Sequence, residues 1–151
     1  VANMLDIALL GATEIDLNFN VNVVTHSDGI LLHGIGGHSD ASSGAGCTII
    51  TAPSFRKRIP IIKEEVTTIT CPGELIDVLI TERGIAINSR RDDLLWSAKK
   101  ADLPCVDISQ LMHDVYQITG VPEKPHFTDH PVALVEWRDG SLIDTIWQIE
   151  E

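Results

Sequence analysis

The sequence predicts an α/β fold, a largely parallel sheet flanked by helices and ending in a C-terminal β-hairpin, and three observations carry that expectation. The run Asp6-Ile7-Ala8-Leu9-Leu10-Gly11-Ala12 is apolar without alternation and broken by glycine, as in a strand covered on both faces. Short segments rich in Ile, Val and Thr then interleave with stretches of helical period. Near the end, Asp139-Gly140 separates two apolar runs, a strong hairpin signal. With 151 residues, the chain is long enough for one domain spanning 1–151. Folding a chain of this size buries about 70% of the surface its unfolded form exposes.

Taken in order, residues 14–23 alternate. Ile15, Leu17, Phe19, Val21 and Val23 would share one face of a strand, and Glu14, Asp16, Asn18, Asn20 and Asn22 the other. Asn suits strands poorly, so these three asparagines point to another use. Their amides can donate to a carbonyl and accept from a hydroxyl, as a site for an acid or thioester needs, or they can build an Asx turn. The apolar run 29–33 then leads into Gly34-Ile35-Gly36-Gly37-His38-Ser39-Asp40-Ala41-Ser42-Ser43-Gly44-Ala45-Gly46, and the strand 47–51 leads out. A helix opening at Gly37 or His38 and running through about Ala45 would leave free N–H groups at the edge of the sheet. There an anion or a developing oxyanion is stabilised, and glycines let the backbone approach it. The same stretch could simply join a strand to a helix. It is neither a P-loop, since no Gly-Lys-Ser/Thr follows, nor a dinucleotide fingerprint, since Ser39 stands where the third glycine should be.

Downstream, residues 56–60 read as a polar connection and 66–70, 76–81 and 85–88 as strands. Residues 90–101 and 109–119 read as helices. In the second, Leu111, Met112, Val115 and Ile118 recur at helical spacing, Ser109 or Asp107 caps the start, and Gly120 with Pro122 stops it. Pro122, Pro125 and Pro131 make an extended connection. The hairpin strands are 132–138 and 141–147, with Trp137 and Trp147 packing the hairpin rather than binding a ligand.

Composition narrows the function. A formal charge of −11 speaks against nucleic acid, which requires a Lys/Arg stripe. The clusters Arg56-Lys57-Arg58 and Arg90-Arg91 are either solvated turns or holders of a carboxylate or phosphate. No apolar run approaches the ~20 residues that span a bilayer, so no membrane partner is expected. His26, His33 and His38 with Asp40 could be imagined as metal ligands, but His33 and His38 lack the four-residue spacing of a helical pair, and no metal is expected. Cys47, Cys71 and Cys105 are widely spaced and outside any C-x-x-C pair, as expected for buried free thiols in a reducing cytoplasm. A catalytic cysteine is the alternative, though none opens an evident helix. The start at Val1 enters a strand almost at once, and the sequence is read as the C-terminal part of a longer subunit.

Three blocks resemble, in order, the second half of the coenzyme A transferases: Glu14-Ile15-Asp16-Leu17-Asn18-Phe19-Asn20-Val21-Asn22, then Gly34-Ile35-Gly36-Gly37-His38-Ser39-Asp40, then Pro72-Gly73-Glu74-Leu75-Ile76-Asp77-Val78-Leu79-Ile80-Thr81-Glu82. Thr119-Gly120-Val121-Pro122-Glu123-Lys124-Pro125 and Val135-Glu136-Trp137-Arg138-Asp139-Gly140-Ser141-Leu142-Ile143-Asp144 are similar to the carboxyl end of the citrate lyase alpha chains within that family. The resemblance implies the C-terminal half of a coenzyme A transferase-like fold, in a full subunit with two domains and the site between them. It implies acyl exchange between acetyl-acyl carrier protein and citrate, giving citryl-acyl carrier protein and acetate, in citrate fermentation. No cofactor would be bound by this chain itself, since the reacting thiol belongs to the phosphoribosyl-dephospho-coenzyme A group of the acyl carrier protein. The partners implied are citrate, acetate, and the carrier (gamma) and lyase (beta) subunits of an oligomeric complex. On this reading the amides of Gly36, Gly37 and His38 stabilise the oxyanion, Asn20 and Asn22 orient the thioester or the acid, and Gly34 and Asp40 line the substrate side. His38 could alternatively meet a carboxylate when protonated. Many of these transferases use a glutamate nucleophile upstream of the blocks seen here, whereas citrate lyase alpha chains let citrate's own carboxylate attack. Two alternatives stay open: an acetate or other short-chain acyl-CoA transferase or thioester hydrolase, and an assembly module that binds the carrier or lyase subunits.

Overall fold

The computed structural model describes residues 4–150. In chain order the elements are β1 (Leu5–Leu10), β2 (Glu14–Asp16), β3 (Val21–Asn22), α1 (His38–Gly44), β4 (Ala45–Thr51), β5 (Phe55–Arg56), β6 (Ile59–Pro60) and β7 (Ile62–Lys63). A 3-10 turn at Gly73–Leu75 precedes β8 (Val78–Thr81), β9 (Gly84–Ile87), α2 (Asp92–Lys100), α3 (Ile108–Thr119), β10 (Phe127–Glu136) and β11 (Leu142–Ile149). The main sheet has the order β1-β4-β8-β9, with β1, β4 and β8 parallel and β9 returning antiparallel. A small sheet, β3-β2-β7, stands beside it, and β10-β11 form the C-terminal hairpin.

Strand register sorts the main sheet into two unlike faces. Ala8, Thr48, Ile50, Leu79 and Ala86 share the face that is buried. They meet Ile15, Val21, Ile62, Ile76, Leu111, Val135 and Ile146 in one core, so the small sheet, α3 and the hairpin all pack on this side. The opposite face carries Ile7, Leu9 and Ile80, exposed by 58%, 66% and 36%. The expectation that residues 6–12 are covered on both faces therefore fails. An unalternating apolar run says that both faces avoid water, and among the described residues only one of them is covered.

Residues 14–23 also differ from the single alternating strand expected. They form two short antiparallel strands around a turn in which Asp16 Oδ1 accepts the N–H groups of Asn18 and Asn20, each at 2.9 Å. Phe19 takes φ 63° there. An Asp carboxylate that gathers downstream amides competes with a ladder, and here it wins, so the Asx turn is the correct reading. Residues 66–70 form no strand either. Their amides go instead to carboxylates and one carbonyl: Thr67 N to Glu14, Ile69 N to Asp144 and Thr70 N to Val21 O. The run 29–33 is likewise not a strand, and Ile30, Leu31 and Leu32 are exposed. The connection 56–60 is part of a small hairpin, β5-β6, turned by Lys57 at φ 56°.

The helices follow the sequence closely. Asp107 caps α3 by accepting Ser109 N at 2.8 Å, and Gly120 ends it at φ 82°, where a side chain would be strained. Ile108, Leu111 and Val115 form its buried face. In α2, Asp92 and Asp93 open the helix and Lys99 and Lys100 close it, as the macrodipole favours. Arg90 and Arg91 serve an internal carboxylate: both reach Asp77 Oδ1, at 2.7 and 3.0 Å, while Asp77 Oδ2 accepts Thr48 N at 2.7 Å and pins β4 beside β8. Cys71 is buried, its thiol pushed up to about 11 by that burial, and Cys47 is half-buried. Cys105 is exposed, contrary to expectation, because residues 103–105 run along the outer edge of β9. No helix among the described residues is long and apolar enough to cross a membrane.

Candidate functional site

The site is built up from the carboxylates of β2. Glu14 is wholly buried, yet every lone pair it offers finds a donor: Lys63 Nζ at 2.7 Å and Thr67 Oγ1 at 3.0 Å on Oε1, Asn22 Nδ2 at 2.8 Å and Thr67 N at 2.7 Å on Oε2. Burial alone would raise its pKa; the Lys63 ammonium and these hydrogen bonds outweigh it and hold the carboxyl below its ordinary value. Asn22 is consumed by the same network. Its amide group donates to Glu14 and to Thr25 Oγ1, and its carbonyl accepts Val24 N and Thr25 N. Expected to meet a ligand, Asn22 instead locks the floor beneath the turn.

Asn20 stands differently. Its Oδ1 accepts Gly73 N at 2.9 Å and its Nδ2 donates to Asp16 at 3.1 Å, which leaves one amide hydrogen uncommitted. The side chain lines a cleft of about 420 Å³ together with Ile69, Pro72, Glu74, Trp137 and Ser141. The first and third sequence blocks are thus joined through Asn20 and Gly73. Gly73 sits so close that a Cβ placed on it would lie 1.8 Å from Asn18 O.

The second block arrives from the other side. α1 packs on the 3-10 turn that carries Gly73, and its first turn reaches the hairpin turn, where Asp40 and Arg138 approach to 3.8 Å. Gly36 has φ 60°, and added Cβ atoms at Gly34, Gly36 and Gly37 would meet no atom of the described residues within 4 Å, so the space beside the loop is open among those residues. His38 turns away from that space. Its Nε2 donates to Gly11 O at 3.0 Å, its Nδ1 is buried without a partner, and burial lowers its pKa against the pull of the Gly11 carbonyl. A neutral ring in this position supports donation by the His38 amide over capture of an anion by an imidazolium.

The structure therefore places Asn20 in the cleft and Asp40 beside the hairpin turn that borders it, leaves the glycine loop outside the lining of that cleft, and commits the Asn22 side chain and the His38 ring to internal bonds. The sequence shows the hairpin turn but not its place in the wall of the cleft. Trp137 was expected only to pack the hairpin, but it walls the Asn20 cleft, and the signal was available in the dense polar and aromatic string Glu136-Trp137-Arg138-Asp139-Gly140-Ser141. A larger groove, lined by His26, Asp28, Arg58 and Pro122, touches neither Asn20, Asn22 and Asp40 nor the glycine loop. Among the described residues, no three His, Cys, Asp or Glu side chains gather closely enough to hold a metal ion.

The sequence model of the family described as citrate lyase, alpha subunit (CitF) matches residues 1–149. The chain belongs to the citrate lyase alpha-subunit family. Its relatives include the citrate lyase alpha chains of Haemophilus influenzae, 47% identical over 147 residues, and of Escherichia coli K12, 43% identical over 147 residues. Each alignment covers 97% of this chain, which spans 29% of the length of these relatives. A Streptococcus mutans structure, assigned to the alpha subunit of citrate lyase and in complex with citrate, superposes with a TM-score of 0.96 at 43% identity, covering 99% of this chain and 29% of that one. An acyl-CoA transferase apoenzyme from Escherichia coli O157:H7 matches with a TM-score of 0.51 at 18% identity, over 81% of this chain and 26% of its own. The citrate lyase alpha family thus shares its coenzyme A transferase-like fold with enzymes distant in sequence.

Proposed function

We propose that this chain contributes the acyl-exchange site of a citrate lyase alpha subunit, which converts acetyl-acyl carrier protein and citrate into citryl-acyl carrier protein and acetate. The observation that carries the reading is the open glycine loop. Gly34 and Gly37 have neither positive φ nor a neighbour that a side chain would strike, so nothing in the packing of the described residues demands glycine there. Close approach of a ligand to the backbone does demand it. The complex with citrate, in a relative of the same fold, supports the choice of acid.

In the proposed step, a citrate carboxylate oxygen attacks the acetyl thioester carbonyl. The carbonyl oxygen becomes an oxyanion, the carrier thiolate leaves, and a mixed anhydride remains; the thiolate then attacks the citryl carbonyl and expels acetate. No proton needs to be supplied. What the protein must supply is donors preorganised at the oxyanion, and the amides of Gly36, Gly37 and His38 take that role. Asn20 orients the thioester or the acid through its uncommitted amide hydrogen, with Asn22 holding the turn beneath it. The carrier and lyase subunits are the proposed partners.

The deciding experiment mixes the complete gene product with acetyl-acyl carrier protein and labelled citrate and follows label onto the carrier by mass spectrometry. Label on the carrier supports the reading; transfer only between acetate and free coenzyme A replaces it with a general acyl-CoA transferase. Gly37→Val is the clean variant, because a Cβ there meets no atom of the described residues within 4 Å and its φ of −95° suits any residue. It should leave the unfolding midpoint in place and lower exchange about 100-fold or more, because the variant keeps its N–H but its side chain holds the thioester away from the loop amides, which is equivalent to losing an oxyanion donor. Unchanged exchange with lost co-purification of partner subunits would point to an assembly module instead. Asn20→Ala is less clean, since it also frees Gly73 N and Asp16.

A further inference from the structure

We propose that Arg138, on the turn between β10 and β11, is the specificity-determining residue that takes a second carboxylate of the tricarboxylic acid substrate. The inference rests on the acyl-exchange reading and adds a residue to it. Citrate brings three carboxylates to a site where one of them reacts, and acetate brings only one. An enzyme that must accept the first and release the second needs a fixed cation near the reacting carbonyl, and the glycine-loop amides are neutral.

Arg138 is placed for this. Its neighbours in sequence, Trp137, Asp139 and Ser141, line the cleft that holds Asn20, and its guanidinium lies 3.8 Å from Asp40 in the first turn of α1, next to the loop. That contact is too long for a hydrogen bond, and both side chains are about half exposed. The fork of N–H donors is therefore free to meet a carboxylate in bidentate fashion. Of the other cations, Lys63 is held by Glu14, Lys124 by Glu65, Arg83 by Ser54, and Arg90 and Arg91 by Asp77, while Arg56, Lys57, Arg58, Lys99 and Lys100 lie outside the lining of the Asn20 cleft. Asp40 then acts as a placeholder. It keeps the guanidinium in position by attraction and competes with the incoming carboxylate for it.

The test uses the complete gene product and measures binding of citrate, tricarballylate and acetate by calorimetry, beside the exchange assay. Arg138→Gln should weaken citrate and tricarballylate about 10- to 100-fold, the scale of charge-assisted hydrogen bonds, and leave acetate unchanged. Arg138→Lys should recover part of the loss, keeping the charge without the fork. Asp40→Asn should tighten citrate, because it removes the competitor. If Arg138 merely clamps the hairpin to α1, Asp40→Asn and Arg138→Gln will weaken citrate alike, which overturns the proposal. Unchanged tricarboxylate affinity in Arg138→Gln overturns it too, while citryl-carrier formation by the wild type would leave the exchange reading standing. Conversely, selective loss of tricarboxylate binding in a protein that forms no citryl-carrier keeps the Arg138 site and removes the exchange reading.

Discussion

Gly73→Ala is expected to destabilise the protein by about 3 kcal/mol or more, at the upper end of what overpacking costs, and to abolish exchange with it. The added methyl would sit 1.8 Å from Asn18 O and 2.9 Å from both Asn18 C and Phe19 C. All three are backbone atoms, so no side chain can swing aside. Relief has to come from separating the 3-10 turn from the β2–β3 turn, which breaks the hydrogen bond from Gly73 N to Asn20 and loosens the wall of the cleft. The effect is purely steric, because Gly73 has no left-handed φ to lose. Gly34→Ala is the matched control, with open space at its Cβ, and should fall within ~0.5 kcal/mol of wild type. Urea unfolding of both variants checks this, and equal midpoints for the two would refute the steric account.

Glu14→Gln is expected to cost about 3–5 kcal/mol, since it strands the Lys63 ammonium, whose side chain is only 7% exposed, without its counter-charge. The double variant Glu14→Gln, Lys63→Met should recover much of that loss, because removing both charges removes the desolvation that the pair had to overcome. The pair also leaves a signature in pH. The folded-state pKa of Glu14 lies below its ordinary value of 4.5. The unfolded chain therefore binds the proton more readily, so the contribution is fully present above pH 4.5 and is lost as pH falls through the folded pKa. Unfolding free energies measured between pH 7 and pH 3 should drop more steeply for wild type than for the double variant. Parallel curves would show that Glu14 carries none of the acid sensitivity.

Both predictions turn on contacts that the sequence half disclosed. The helices were readable because their signals are local: Asp107 and Gly120 bracket α3, and the glycine loop leads straight into α1. The hairpin was readable for the same reason, from Asp139-Gly140. By contrast, the alternation of residues 14–23 fits a strand and an Asx-stabilised turn equally well, and only the capture of two amides by Asp16 decides between them. Pro72-Gly73 reads as a turn, yet what makes glycine necessary there is the backbone of residues 18–19, far away in sequence. The candidate site was legible as a set of blocks but not as a set of roles. Asn20 and Asn22 look equivalent in sequence, and the structure gives one a place in the cleft and the other a place in the floor. Arg138 could not be joined to Asp40 by any local rule, since the two lie far apart in sequence and meet only through the tertiary packing of the hairpin turn against α1.

The exposed β1 side of the main sheet bears on how copies of this chain behave toward one another. Ile7 and Leu9 expose apolar surface on β1, and the chain carries a net charge of −11. In dilute buffer the like charges keep copies apart over a range of about 30 Å at 0.01 M salt, but that range shrinks to about 3 Å at 1 M, while apolar contact persists. Light scattering against salt should show dispersed particles at low ionic strength and growing ones as the screening length falls below the size of the patch, and Leu9→Lys should suppress the growth.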